Sequence, residues 1–354
     1  MTSFNPNEIG MANGNYFALP YKLEESEIAL ISVPWDVTTS YRVGSHKGPR
    51  AIIDASVQVD LFDTLVSNVW EVTIGTVPQE NSIFKKNKKY RRVAEKIIEQ
   101  LESGADYNSL KDQLESVNKA SSELNKYVYN ACKEQINAGK FVGLIGGDHS
   151  VPFGNMKAVS ENYEKFGILH IDAHADLRVA YEGFTYSHAS IMYNALHEFP
   201  QISQLTQVGV RDFCQEESDI INNDPRIRCF TDIELKRNSY EGKLWKRQCE
   251  EIIASLPNNV YISFDIDGLS PELCPNTGTP VPGGLSFGEV DYLLYLLASS
   301  NKKVVGFDLC EVSPGEAGEW DANVGARILY KMCIYSMFNI KNSLSLPKIN
   351  NHTN

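Results

Sequence analysis

Asp172, His174 and Asp176 stand at alternate positions in the stretch Phe166-Gly-Ile-Leu-His-Ile-Asp-Ala-His-Ala-Asp-Leu-Arg178. If the backbone stays extended beyond the apolar, β-branched first half, all three side chains leave from one face. Two carboxylates and an imidazole then converge at the mouth of a sheet. Unpaired charge is costly there, and a divalent cation is the simplest agent to neutralise it. Taken alone, the stretch also fits an exposed acidic loop with a stray histidine.

The rest of the chain supplies a matching half. Asp265 and Asp267 repeat the alternation after the apolar run Val260-Tyr-Ile-Ser-Phe264. His149 follows Phe141-Val-Gly-Leu-Ile145 in the turn Gly146-Gly-Asp-His-Ser150, and Glu311 follows the run that starts Lys303-Val-Val-Gly-Phe307. Ligands of an open parallel sheet bind outside the carboxyl ends of its strands, which is where these residues fall. Four aspartates and two histidines are more than one tetrahedral zinc site needs, and no cysteine set points to structural zinc. A pair of divalent ions sharing carboxylates fits better, four negative charges balancing two ions. Ligands rich in carboxylate suit manganese and do not exclude nickel, cobalt or iron.

The elements that must position these groups alternate. Apolar runs at Ile28–Val33, Val69–Ile74, Phe141–Ile145, Gly167–Ile171, Gln207–Val210, Ile227–Phe230, Val260–Phe264 and Lys303–Phe307 read as strands. Amphipathic segments lie between most of them: Arg50 to Leu61, two helices within Tyr90 to Ala138, Ser187 to Glu198, Lys243 to Ser255, Ser286 to Ala298 and Asp321 to Met337. Alternation of this kind indicates an α/β fold, a parallel sheet covered by helices on both faces. Length leaves one large domain or two smaller ones open. The chain has no internal repeat and no Pro-, Gly- or Ser-rich linker, and its last residues, 341–354, read as a polar, frayed tail.

The formal charge of −12 argues against a nucleic-acid or anionic-membrane surface and is compatible with a small cationic substrate. The basic run Lys85-Lys-Asn-Lys-Lys-Tyr-Arg-Arg92 reads as a solvated helix entrance. Seven scattered cysteines without a CxxC pair suit reduced thiols, and with no leader and no apolar run able to span a bilayer the expected location is the cytoplasm.

With these residues in view, the chain resembles the ureohydrolases, the family of arginases and agmatinases. Gly146-Gly-Asp-His-Ser150, Asp172-Ala-His-Ala-Asp176 and Ser263-Phe-Asp-Ile-Asp-Gly-Leu269 look like its signature segments, and Thr277-Gly-Thr-Pro-Val-Pro-Gly-Gly284 and Glu311-Val-Ser-Pro314 extend the match. The stretches Asp172 to Arg178, Tyr181-Glu-Gly183 and Tyr186-Ser-His-Ala-Ser190 look most like agmatinases. The resemblance implies a three-layer α/β/α sandwich with an eight-stranded parallel sheet, residues 1–340 as one domain, and the four liganding strands side by side. It implies that His149, Asp172, Asp176 and Asp265 hold one metal ion and His174, Asp172, Asp265 and Asp267 the other. A hydroxide shared by the ions would attack a guanidinium carbon, Glu311 would orient the guanidinium, and His188 would carry a proton to the leaving amine. Agmatine would give putrescine and urea. Arginine, guanidinobutyrate, guanidinopropionate and guanidine are alternatives under the same chemistry, and a catalytically silent scaffold is the alternative of another class. A homo-oligomer, trimer or hexamer, is also implied.

Other residues read more plainly. His188 could merely cap or pack a helix, and Glu311 could be an ordinary strand-end acid. His46, His170, His197 and His352 read as structural or surface residues, Asp148 as a support for the ligands, and Arg178 as part of a structural ion pair. Ser270 stands where the family usually has Asp, and the polar helical region of about 81–126 looks longer than in compact relatives.

Overall fold

Each of the apolar runs lies at or beside a strand in a computed structural model of the protein, which describes residues 4–345 except 317, 339, 342 and 343. The strands are β1 (Ile28–Val33), β2 (Ile74–Thr76), β3 (Phe141–Gly146), β4 (Phe166–Ile171), β5 (Ile202–Val208), β6 (Ile227–Phe230), β7 (Asn259–Asp265) and β8 (Lys303–Cys310). They form one eight-stranded sheet in the order β2-β1-β3-β8-β7-β4-β5-β6, with every pairing parallel. The strands that precede the candidate ligands, β3, β8, β7 and β4, are therefore consecutive at the centre.

Central parallel strands are covered on both faces, so their residues are apolar on both sides. Helices α1 (Gly48–Ser56), α8 (Trp245–Ser255), α9 (Phe287–Ala298) and α10 (Trp320–Met337) share a core with Ile28, Leu30, Ile262 and Phe264. On the opposite face α2 (Asn81–Glu102) and α3 (Lys111–Asn137) pack on Ile31, Val33, Val142 and Leu144. Beyond them α4 (Phe153–Ser160) and α5 (Ile191–Glu198) pack on Ile168 and Leu205. Each fully buried Leu, Ile or Phe contributes roughly 1.5–3 kcal/mol relative to exposure, which is what holds the three layers together. The polar region 81–126 is thus not an appendage: Ile83, Ala94, Ile97, Leu114, Val117 and Leu124 make it part of one covering layer.

Several expectations shift. The run Val69–Ile74 is not a strand up to its last residue: Asn68 adopts a left-handed backbone and Val69–Glu71 forms a 3-10 turn, so pairing starts only at Ile74. Strand β5 is Ile202–Val208 rather than the expected Gln207–Val210: the polar Ser203, Gln204 and Thr206 interrupt the apolar residues of its first part, and Gly209, at φ 96°, follows its end. Helix α1 ends at Ser56 rather than Leu61, and α4, α6 (Gln215–Asn223) and α7 (Asp232–Tyr240) were not expected. The start of the polar tail is held rather than frayed: Lys341 pairs with Glu27 at 2.7 Å, and Ser67 N donates to the Ser345 carbonyl at 2.8 Å. His352 lies outside the described residues.

Candidate metal centre

Sheet register lays a polar row across the sheet just below the candidate ligands. Gln207 of β5 is level with His170 of β4, His170 with Ser263 of β7, and Ser263 with Asp308 of β8. All four are fully buried, so each needs a partner, and each has one. Gln207 Nε2 donates to His170 Nδ1 at 3.0 Å, which leaves His170 Nε2–H to donate to Asp172 Oδ2 at 2.8 Å. Ser263 Oγ donates to Asp308 Oδ1 at 3.1 Å and accepts from His149 Nε2 at 2.9 Å. These contacts assign the tautomers: His149 presents the lone pair of Nδ1 upward, and His170 is a donor to Asp172.

Above the row, the oxygens Asp172 Oδ2, Asp176 Oδ2 and Asp265 Oδ2 lie 3.0, 3.1 and 3.3 Å from His149 Nδ1. Asp172 Oδ1 and Asp267 Oδ2 lie 3.4 and 3.2 Å from His174 Nδ1. Asp172 thus belongs to both clusters. Backbone N–H groups orient the carboxylates: His174 N donates to Asp172, Asp267 N to Asp265 and Ala173 N to Asp267. Asp176 and Glu311 both hold left-handed backbone, φ 56° and 62°, a strain typical of functional positions.

This donor set fits divalent metal. A buried imidazole lone pair facing three carboxylate oxygens is repulsive unless a cation lies among them, and Asp176 Oδ2 has no hydrogen-bond donor of its own. The acids titrate accordingly. Burial, with the charge of Asp172, lifts Asp176 to about 6, and burial with Asp267 and Asp172 lifts Asp265 well above the carboxylate range. Burial opposes charge on Asp172 as well, but His170, which donates to it, holds it well below its ordinary value.

Glu311 closes one side. Its Oε1 accepts from His149 N at 3.0 Å, and its Oε2 is buried without a donor. Burial, reinforced by nearby Asp148, keeps this carboxyl well above its ordinary range. Gly278 keeps space beside it, since a Cβ there would stand 3.3 Å from Oε2. His188 lines a cavity of about 160 Å³ together with His174 and Asp176, with its Nε2 3.5 Å from Ser40 Oγ. Packing, reinforced by His174, depresses its imidazole to about 4, well under the ordinary value expected from sequence. At the mouth stand Tyr181, Asp212, Phe213 and Arg178. Arg178 is tied as expected, 3.8 Å from Glu217 and over the Tyr181 ring.

All eight sequence-derived site residues meet around this cavity and the clusters beneath it. His170, which the sequence presents as a structural histidine, belongs to the site, and so do Ser263, Asp308 and Gln207. Their signal was a lone polar residue inside each apolar strand. Asp148 supports from behind, bonded to Ser150 and Thr38 rather than to His149. His46 pairs with Asp36 and His197 with the Tyr193 carbonyl. Ser270 sits in a turn, its N donating to the Leu285 carbonyl.

The arginase family model matches residues 26–334. An N(1)-aminopropylagmatine ureohydrolase from Thermus thermophilus is 32% identical over 313 residues, 88% of this chain and 90% of that protein. An agmatinase from Bacillus anthracis is 28% identical, over 82% and 85% of the two chains. The solved arginase of Bacillus caldovelox shares the fold, with a TM-score of 0.65 at 24% identity over 87% and 98% of the chains.

Proposed function

The chain belongs to the arginase family, and from that membership we propose a ureohydrolase that cleaves agmatine to urea and putrescine. The observation that carries the choice is the charge at the mouth. Arg178, the cation of the cavity lining, is taken up by Glu217 and Tyr181, whereas Asp212 pairs with no cation among the described residues. A carboxylate tail, as in arginine or guanidinobutyrate, would meet acids there, and a cationic tail would be welcome.

Two divalent ions, manganese in our reading with nickel or cobalt as alternatives, would be held by His149, Asp172, Asp176 and Asp265 and by His174, Asp172, Asp265 and Asp267, and would make hydroxide available at neutral pH. Glu311 accepts from the planar guanidinium with its free oxygen, fixing the carbon's orientation. His188, with its imidazole depressed to about 4, is neutral at pH 7 and would first take the proton of the hydroxyl added to the guanidinium carbon, then pass it to the departing amine.

A second reading has a specific support. The 32% identical relative carries aminopropylagmatine in its name, and Asp212 is exposed at the rim, where a longer tail with a further amine would reach. We also read residues 1–340 as one domain, on the strength of the single sheet, and the protein as a cytoplasmic homo-oligomer. Free cysteines agree with that location, and no helix among the described residues is long and apolar enough to cross a membrane. Urea release by manganese-loaded protein tests the substrate assignment. Turnover of agmatine or aminopropylagmatine in preference to arginine and guanidinobutyrate is expected, and a preference for a carboxylate-tailed compound would overturn it.

A further inference from the structure

Helix α2 carries the basic run 85–92, yet two residues within it turn inward. Asn87 is 3% exposed and the Arg91 side chain 11%. Asn87 forms a reciprocal pair with Asp36: Asp36 N donates to Asn87 Oδ1 at 2.8 Å, and Asn87 Nδ2 donates to Asp36 Oδ1 at 2.9 Å. The other oxygen of Asp36 gathers its own loop, accepting from Gly44 N at 3.0 Å, His46 N at 3.3 Å and His46 Nδ1 at 2.6 Å. Arg91 donates to the carbonyls of Val37 and Thr39. The loop of residues 36–46 is irregular, so its backbone has no ladder to hold it, and these side chains stand in for one.

The residues between the anchors face the site. Thr38 Oγ1 is 3.4 Å from Asp148 Oδ2, and Ser40 Oγ is 3.5 Å from His188 Nε2. Arg42 N donates to the Gly278 carbonyl at 3.4 Å. The Arg42 carbonyl and the Thr39 methyl lie 3.5 and 3.8 Å from where a Cβ of residue 278 would be, beside the free oxygen of Glu311.

We propose that α2 is a positioning element for substrate: Asn87 and Arg91 hold loop 36–46 so that Ser40 stays against His188 and the loop backbone closes over Glu311. The role in substrate binding rests on the hydrolase reading given above, while the holding of the loop does not. Both carbonyl bonds leave one nitrogen, Nη1, while Nε holds Glu95, so the single ammonium of Arg91→Lys can keep part of this set and Arg91→Met none of it.

The test uses the full chain loaded with manganese, comparing wild type with Asn87→Ala, Arg91→Met and Arg91→Lys by amide hydrogen exchange, agmatine kinetics and metal content. Exchange in 36–46 should accelerate by about 10-fold in Asn87→Ala and Arg91→Met while β3, β4, β7 and β8 keep their protection. KM should rise about 10-fold with kcat and metal content changed far less, and Arg91→Lys should recover part of both effects. Unchanged exchange in the loop overturns the proposal, as does acceleration spread evenly over α2 and the sheet, which would mark a merely structural role. A loosened loop with unchanged KM overturns the link to substrate. If wild type released no urea from agmatine, the substrate assignment would fail, and the exchange measurement would still decide whether α2 holds the loop.

Discussion

Ser263 Oγ stands 2.9 Å from Nε2 of His149, and this contact decides which edge of the imidazole is free for a ligand. Because Asp308 takes the serine proton, the serine can only accept from His149, so Nδ1 faces the acids as a lone pair. Replacing Ser263 with Ala removes that constraint and leaves a buried N–H unpaired, at a cost of about 1–3 kcal/mol in stability. Supports of this kind are worth roughly 10–100-fold in metal affinity. Calorimetric titration of manganese into Ser263→Ala should show a loss in that range, with the sheet intact by circular dichroism.

Glu311→Gln keeps the shape of the side chain and removes the charge that a bound guanidinium would draw from a carboxyl otherwise held high by burial. The pairing with guanidinium then loses the advantage of a charged acceptor, about 1.5–3 kcal/mol against about 1, so kcat/KM should fall by up to about 30-fold. Bound metal should remain at the wild-type amount, because Glu311 stands outside the two ligand clusters. Loss of metal in this variant would reassign Glu311 from substrate to ligand.

Asp212 is exposed, so its effect on a cationic tail is screened and modest. Asp212→Asn should raise KM for agmatine by no more than about 5-fold, and the difference from wild type should shrink as salt is added. A steady-state comparison at low and high ionic strength checks it. An improvement in agmatine binding would contradict the tail assignment.

Asp36 gives a pH dependence of known sign. Burial opposes its charge, but the His46 and Asn87 contacts hold its carboxyl below the ordinary value. A carboxylate depressed in the folded state stabilises fully above its unfolded pKa of about 3.9 and loses that contribution as pH falls through the folded value. The stability gap between wild type and Asp36→Asn that is present at about pH 5 should therefore narrow below about pH 4. Denaturant melts across that range measure it.

Much of this site can be read from single strands. The alternation of Asp172, His174 and Asp176, repeated by Asp265 and Asp267, is visible in the sequence, and the apolar runs ahead of them are what a doubly covered parallel sheet requires. The backbone that gathers these side chains is not extended throughout, since β4 ends at Ile171, Asp176 is left-handed and Ile266–Gly268 forms a 3-10 turn. What escapes such reading depends on distance in space. His170, Ser263, Asp308 and Gln207 form one row only once the strand order is known, and His170 in isolation is indistinguishable from a satisfied core histidine. The first part of β5 is hidden in the sequence because Ser203, Gln204 and Thr206 interrupt its apolar residues. The inward turn of Asn87 and Arg91 was hidden by their lysine-rich neighbours, and only the position of loop 36–46 shows why two of those residues are buried.

We read the acid and histidine clusters beneath His188 as a two-metal hydrolytic centre. Manganese content and urea release from agmatine, measured on one sample before chelation, after it and after readdition of the metal, decide whether they are. We expect about two ions per chain, activity that falls with metal removal and returns with the metal, and an Asp265→Ala protein that has lost both. Urea release that survives complete chelation, or an Asp265→Ala protein with wild-type metal content and turnover, would show that these clusters are not the hydrolytic metal centre.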